Sequence, residues 1–395
     1  MIKIKSKKSR LISPHGGKLI QQYNNNISIE NLNKLPILGV DANIQSDIIQ
    51  IATGTYSPVK RFMCLNEINS VLNQNMLSNG ISWTLPIIFQ IQKKQKESLP
   101  EKGLISIVND QNNLIIGVMN IESIEKFKNI DKLIDQWFLT QSNNHPGVSM
   151  IKQRGDYIIS GKPFLIKSDM LDKIIGLTPK FVRKLMHDKN WTNVIGFHTR
   201  NIPHRGHEYI QLKALTENNA DAILISPISG EKKAGDFSSE IVLDLYTQLM
   251  DMGYYEPYGS LLCPLQTYSR FSGPREAVFT ALCRKNYGCN YFIVGRDHTG
   301  VGKYYDIAHS QKFFANLDLD MTILTFDSVY YSPEQDMVTD DFKNIKSINE
   351  LVNISGSIIR KSIREGFNLP NNIVRRQFLE HCMKKYINDQ TSVFV

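Results

Sequence analysis

The sequence holds no apolar run near the ~20 residues that crossing a bilayer takes, so a membrane-spanning helix is excluded. Its five cysteines (Cys64, Cys263, Cys283, Cys289, Cys382) are odd in number and show no C-x-x-C spacing. That argues against a disulfide framework or a zinc ribbon and for reduced thiols in a cytoplasmic protein. Lys3, Lys5, Lys7, Lys8 and Arg10 resemble the basic start of a leader, but no apolar segment follows them, which points to a solvated N-terminus. No H-E-x-x-H pair is present to suggest a metal centre. Gly302-Lys303 is not a Walker A ending, because the glycine needed at position 297 is Asp297. There is no internal repeat, and basic residues are not interleaved with aromatics as a nucleic-acid stacking platform needs.

What is present is an ordinary globular composition, 42% hydrophobic and 21% charged over 395 residues, enough for two or three cores. The formal net charge of +8 suits small anionic substrates as well as nucleic acid. Up to about residue 165, short strand-like runs (103–108, 114–118, 157–159) lie between Asn, Gly, Asp and Pro turns, with a helix over 65–79. From about residue 178 strand and helix alternate: helices over 179–189, from His204, over 239–252 and over 274–286, strands at 194, 222–226, 258–263 and 291–295. This is the grammar of a parallel sheet with crossover helices. Two helical segments, 355–365 and 372–387, close the chain.

The most informative stretch is NVIGFHTRNIPHRGHEYI, residues 193–210. An apolar strand stops at a polar turn, residues 198–203, and a helix follows from His204. Such a strand–turn–helix holds oxyanions, because unpaired backbone N–H groups and the positive end of the helix face the crevice. His204 and His207, three apart, are expected on one helix face, either as oxyanion donors or as ordinary solvated residues. A second turn, YFIVGRDHTGVG at 291–302, repeats the pattern with Gly295, Arg296, Asp297, His298 and Thr299. Asp297 serves a ligand or braces the turn; Arg275 reaches the crevice or makes a salt bridge. Ser355, Gly356, Ser357 and Arg360 form a helix start that binds an anion or is a plain cap.

These residues resemble one family. HTRNIPHRGHE is similar to the Q-T-R-N-P-x-H-R-x-H-E motif of ATP sulfurylases, and GRDHTGVG to their G-R-D-H-A-G-P-G. SGPREAVFTALCRKNYGCNYFIVGRDH, ISGSIIRKSIREG, GTYSPVKRFMCLNEINSVL and ISWTLPI look like that family too. The resemblance implies an α/β protein with a PUA-like, β-rich N-terminal domain (1–167), a Rossmann-like nucleotidyltransferase domain with a parallel sheet (168–328) and a small α/β C-terminal domain (329–395). It implies a single-function form, without a kinase domain.

It also implies sulfate adenylyltransfer for sulfate activation and assimilation. The substrates would be ATP and sulfate, with Mg²⁺ carried on ATP and no dedicated metal ligands. A cytoplasmic homo-oligomer is expected, without membrane or nucleic-acid partners. By resemblance Arg200 and His198 grip sulfate with the backbone of Thr299. Thr199 and Asn201 orient the α-phosphate and nucleophile, and His204 and His207 stabilise the departing pyrophosphate. Gly295, Arg296, Asp297 and His298, with Val329, bind the rest of ATP, to which residues 198–201 also contribute. The sequence departs from the family at His198 (usually Gln), Ile202, Thr299 and Val301. A cationic His198 would favour a different oxyanion or add a pH dependence, whereas a tolerated swap would preserve sulfate binding. A non-catalytic nucleotide- or RNA-binding protein is the alternative from another class.

Overall fold

The computed structural model describes residues 10–24, 27–295, 301–302, 304–306, 309–326, 328–340 and 350–395. Arg296, Asp297, His298 and Thr299 lie outside the described residues.

Runs rich in β-branched residues pair into a mixed sheet: β1 (Tyr23–Asn24), β2 (Ile37–Val40), β3 (Gln90–Ile91), β4 (Gly103–Asn109), β5 (Ile115–Lys126) and β6 (Tyr157–Ile166). The order is β1-β6-β5-β4-β2, with β3 also on β6. β5 and β6 run well beyond the expected 114–118 and 157–159 because they pair with each other past a register shift between Ile121 and Ser123. The helix expected over 65–79 stops at Gln74, where Asn75 turns left-handed at φ 55° and its N–H closes on Val71 O. A helix the periodicity does not reveal, Ala42–Thr53, has ten of its twelve residues buried and so lacks a polar stripe.

The second half forms β7 (Val194–Thr199), β8 (Ala222–Pro227), β9 (Gly259–Leu262), β10 (Tyr291–Val294) and β11 (Thr322–Thr325). All pairs are parallel, in the order β11-β10-β7-β8-β9. The chain starts in the middle at β7, steps outward to β9, then returns to place β10 on the other side of β7. A crevice therefore opens beyond the carboxyl ends of β7 and β10, where crossovers leave in opposite directions. One correction concerns the first turn: β7 continues through His198 and Thr199, because β8 still pairs with them as Ser226 and Pro227. The last strands, β12 (Tyr330–Ser332), β13 (Met337–Thr339) and β14 (Val352–Asn353), form an antiparallel sheet.

The parallel sheet is buried on both faces, and period two sorts its side chains. Val194, Leu224, Phe292 and Val294 join a core continuous with the first sheet. Ile195, Phe197, Ile223, Ile225 and Ile293 face a second core, completed by the helices Gly356–Glu365 and Arg376–Asn388. The helix Pro274–Tyr287 lies in the first core with thirteen of its fourteen residues buried. Asn286 Nδ2 donates to Thr55 O and Ser57 O, each at 2.9 Å, and Thr84 Oγ1 donates to Arg275 O at 2.7 Å. Arg275 meets neither expectation: it donates to Leu72 O and Asn75 Oδ1, each at 2.7 Å, and closes the end of the helix Leu65–Gln74.

All five cysteines are free, four of them buried. Among the described residues no helix is long and apolar enough to cross a membrane.

A buried ion pair joins the two halves. The Arg270 guanidinium bonds Asp47 and Tyr56 Oη, and packs 4.1 Å from the centre of the Tyr268 ring. Asp47 also accepts from Tyr56 Oη at 3.0 Å and Tyr268 Oη at 2.9 Å. Burial works against the Arg270 charge, yet Asp47 and the two tyrosines outweigh it, so the guanidinium stays protonated. Asp47→Ala would strand that cation and is expected to cost about 3–5 kcal/mol, measured by urea unfolding. A loss below about 1 kcal/mol would show that the pair is not what joins the halves.

Candidate active site

A cavity of about 430 Å³ opens beyond the ends of β7 and β10. His198, Thr199, Arg200, Asn201, His204 and His207 line one wall, Gly295 and Val329 another. Ser355, Gly356, Ser357 and Arg360 line the side contributed by the start of the helix Gly356–Glu365. The volume is in the range of roughly 300–1,000 Å³ that small-molecule sites occupy.

The first turn is built by local hydrogen bonds. Thr199 Oγ1 accepts from the Asn201 N–H at 3.0 Å, holding the backbone in a tight bend after β7. Buried Ile202 anchors the bend in the second core. Asn201 Oδ1 accepts from Arg360 at 2.9 Å, linking the turn to the helix Gly356–Glu365. A Cβ on Gly356 would lie 2.5 Å from Asn201 Oδ1, so only glycine leaves room for that amide. Ser355 caps the same helix by accepting from Ile358 N at 3.5 Å, and Ser355, Gly356 and Ser357 at the start of that helix line the cavity.

His204 is not on a helix face, as spacing alone suggests. It is the N-cap of the helix Arg205–Glu217, and its Nδ1 accepts from the His207 backbone N–H at 3.2 Å. The cap folds its imidazole onto that of His207, with ring centres 3.7 Å apart. Burial lowers the His204 pKa to about 3, and burial and then His204 push His207 well below the usual histidine value. Both rings are therefore neutral at neutral pH, and capping leaves the His204 proton on Nε2. Glu208 fixes the helix from behind, accepting from Arg205 at 2.8 Å and twice from Arg375 at 2.9 Å.

Positive charge collects on one side. Arg200 lies 3.7 Å and Arg360 4.0 Å from Asp236, one carboxylate shared by two guanidinium groups. Lys232, beside them, is pushed down to about 8 by burial, with Asp236 opposing and Arg200 assisting. Sequence reasoning missed Asp236 and Lys232, which follow β8 without any recognisable spacing. It also missed Glu276, a carboxylate on the cavity wall that accepts the backbone N–H of Arg270 at 2.8 Å and of Ser272 at 3.0 Å. Among the described residues no group of three or more His, Cys, Asp or Glu is placed to hold a metal ion.

Residues 174–385 match the ATP-sulfurylase family, and residues 12–168 match a PUA-like domain. The sulfate adenylyltransferase of Ignicoccus hospitalis is 34% identical over 375 residues, covering 93% of this chain and 96% of its own. That of Pyrococcus abyssi is 32% identical over 374 residues, with the same coverages of 93% and 96%. The chain belongs to the ATP-sulfurylase family. It is a nucleotidyltransferase with a PUA-like N-terminal domain. A solved structure titled hexameric APS kinase from Thiobacillus denitrificans shares the fold at a TM-score of 0.72 and 17% identity, over 95% of this chain and 68% of that one.

The neutral histidines of this family member make a stability prediction. Unfolded histidine takes up its proton near pH 6.5, whereas His204 in the fold resists protonation down to about 3. Its contribution is thus complete above about pH 6.5 and lost as pH falls, at up to ~1.4 kcal/mol per pH unit. His204→Asn, which keeps the cap, is expected to melt with a shallower decline than the parent between about pH 6.5 and 5. Equal declines would contradict the assignment of a buried neutral ring.

Proposed function

We propose that this enzyme is a sulfate adenylyltransferase, joining ATP and sulfate into adenosine 5′-phosphosulfate and pyrophosphate. The observation that carries the proposal is the wall 198–207 at the strand switch point, where Arg200, helix-end N–H groups and two neutral imidazoles meet in one cavity. Relatives named sulfate adenylyltransferase along nearly the whole chain support the same reading.

A sulfate oxygen attacks the α-phosphorus of ATP; as that O–P bond forms, the bond to the β-phosphate bridge breaks and its electron pair leaves with pyrophosphate. Sulfate is fully ionised at neutral pH, so no base has to remove a proton. The difficulty is bringing a dianion onto a polyanion, which calls for positioning and charge neutralisation.

In this reading Arg200 and His198 hold sulfate, with Thr299 of the second turn. Thr199 and Asn201 orient the α-phosphate. His204 and His207 donate ring N–H bonds to the departing pyrophosphate, adding to the positive helix end. Gly295, Arg296, Asp297, His298 and Val329 hold the nucleotide. Glu276 is a carboxylate on the described cavity wall, and its oxygens accept from backbone N–H groups. In this reading a divalent cation arrives on the substrate, as Mg-ATP, rather than in a protein cage. We assign the working domains as 1–167, 168–328 and 329–395, and the metabolic role as sulfate activation in a cytoplasmic homo-oligomer.

Purified enzyme is expected to release pyrophosphate from Mg-ATP when sulfate or molybdate is added, and not with phosphate or without acceptor. Sulfate-independent or absent release would overturn the assignment. Arg200→Ala is expected to lower kcat/KM for sulfate by about 10²–10³-fold with the melting temperature unchanged.

A second variant probes the turn from the opposite wall. Gly356→Ala, whose methyl would displace the Asn201 amide, is expected to lower kcat by at least about tenfold, while ATP still protects the fold against thermal unfolding. Unchanged turnover would remove Asn201 from the reaction.

A further inference from the structure

His198 is one of the positions at which this chain departs from the family motif; it lines the cavity, and a buried cation stands directly behind it. On β7, Gly196 and His198 point to the same face, toward the helix Pro274–Tyr287. A Cβ on Gly196 would meet Arg284 Cβ at 3.1 Å and Cγ at 3.2 Å, so the missing side chain makes room for the arginine stem. The guanidinium then reaches the carboxyl end of the sheet. Its Nη2 lies 2.8 Å from His198 Nδ1, 2.9 Å from Ser226 O and 3.0 Å from Ser226 Oγ. Ser226 is the β8 partner of His198 in register, so the arginine spans the two strand ends. Nη1 donates to Thr280 O at 3.3 Å, and Nε has no hydrogen-bond partner.

Arg284 is 0% exposed, and among the described residues no carboxylate lies within ion-pairing distance of it. Buried guanidinium groups normally have such a partner, as Arg270 has Asp47. Guanidinium nitrogens can only donate. His198 Nδ1 must therefore accept, and a proton there would set N–H against N–H.

We propose that Arg284 is a positioning residue that fixes His198 as a neutral imidazole with its proton on Nε2. The oxyanion wall thereby gains a ring N–H donor backed by a buried guanidinium that has no carboxylate partner among the described residues. The His198 ring takes the place of the glutamine of the family motif it resembles, as a neutral donor instead of a titrating charge. That the bound anion is sulfate rests on the function proposed above; the tautomer does not. The titratable groups on described elements around the ring are Arg284 behind it, Arg200 two residues on, and His204, His207 and Glu276 on the same cavity wall. Cys263 and Cys283, which interact with Arg284, are pushed up to about 12 by burial and stay neutral.

The test is two-bond ¹H–¹⁵N correlation spectroscopy of ¹⁵N-histidine-labelled full chain without substrates, with the His198 signals assigned by their loss in His198→Gln. The expected result is an unprotonated Nδ1 and a protonated Nε2, unchanged between about pH 5.5 and 8. A protonated Nδ1, or a titration midpoint inside that window, overturns the proposal. Arg284→Lys, which shortens the reach to Nδ1, is expected to release the ring to titrate, and to lower kcat/KM for sulfate by at least about tenfold with a new pH dependence in KM. A folded Arg284→Lys protein with the parent spectrum and parent pH profile also overturns it. Should that variant not fold, the spectrum of the parent decides alone. An inert enzyme with the expected spectrum would refute the adenylyl transfer and leave the Arg284–His198 pairing standing.

Discussion

The helix Pro274–Tyr287 is the constraint on which the rest of the structure depends. A helix buried all round must satisfy its polar side chains inside the protein, and each satisfaction fixes a neighbour. Asn286 accepts from the His15 N–H at 2.9 Å and donates to Thr55 O and Ser57 O, which sets the PUA-like domain against one end of the helix. Lys285 donates to Leu319 O at 2.6 Å, ahead of β11. Glu276 pins the loop that carries Arg270, and Arg270 holds Asp47 on the first domain. Arg284 reaches the strand ends that form the cavity wall. Domain placement and site geometry therefore share one element, and neither can shift without unburying charge.

How much of this the residues disclosed follows from what local pattern encodes. β7 and β10 were legible because apolar runs end at polar turns, and the parallel pairing of the strands follows from alternation with helices. Helix ends marked by Thr178, Ser238 and Ser355 fell within a few residues of expectation, since caps are local chemistry. The helix Ala42–Thr53 was not legible, because burial on all sides erases periodicity. The site was half legible. Residues 198–207 are contiguous and announce an oxyanion turn, whereas Asp236, Glu276 and Arg284 arrive from separate segments and meet only through the fold. Arg284 in particular sits in a run of ordinary helix formers, and nothing in its neighbours distinguishes a buried donor from a solvated one.

Spacing also misplaced the histidine pair in an instructive way. Residues three apart share a face when both are helical, but His204 caps the helix and folds back over its first turn. The outcome, two stacked rings, is the same; the cause is different and has an electrostatic consequence. A capping imidazole has spent Nδ1 as an acceptor, so it faces the cavity as a neutral donor.

The same logic applies twice in one wall. Burial keeps His204 neutral while a backbone N–H occupies its Nδ1, and His198 likewise has a fixed donor, the Arg284 guanidinium, against its Nδ1. Imidazolium groups at these positions would bind a polyanion more strongly before reaction, but binding that is equal in ground and transition states does not speed the chemical step. In the proposed reaction neutral N–H donors would respond to charge as it develops, while the permanent charge would come from Arg200 and, one layer deeper, from Arg284. An arginine cannot lose its proton near neutral pH, so this division places the fixed charge on residues that do not titrate and the directional bonds on residues that are prevented from titrating.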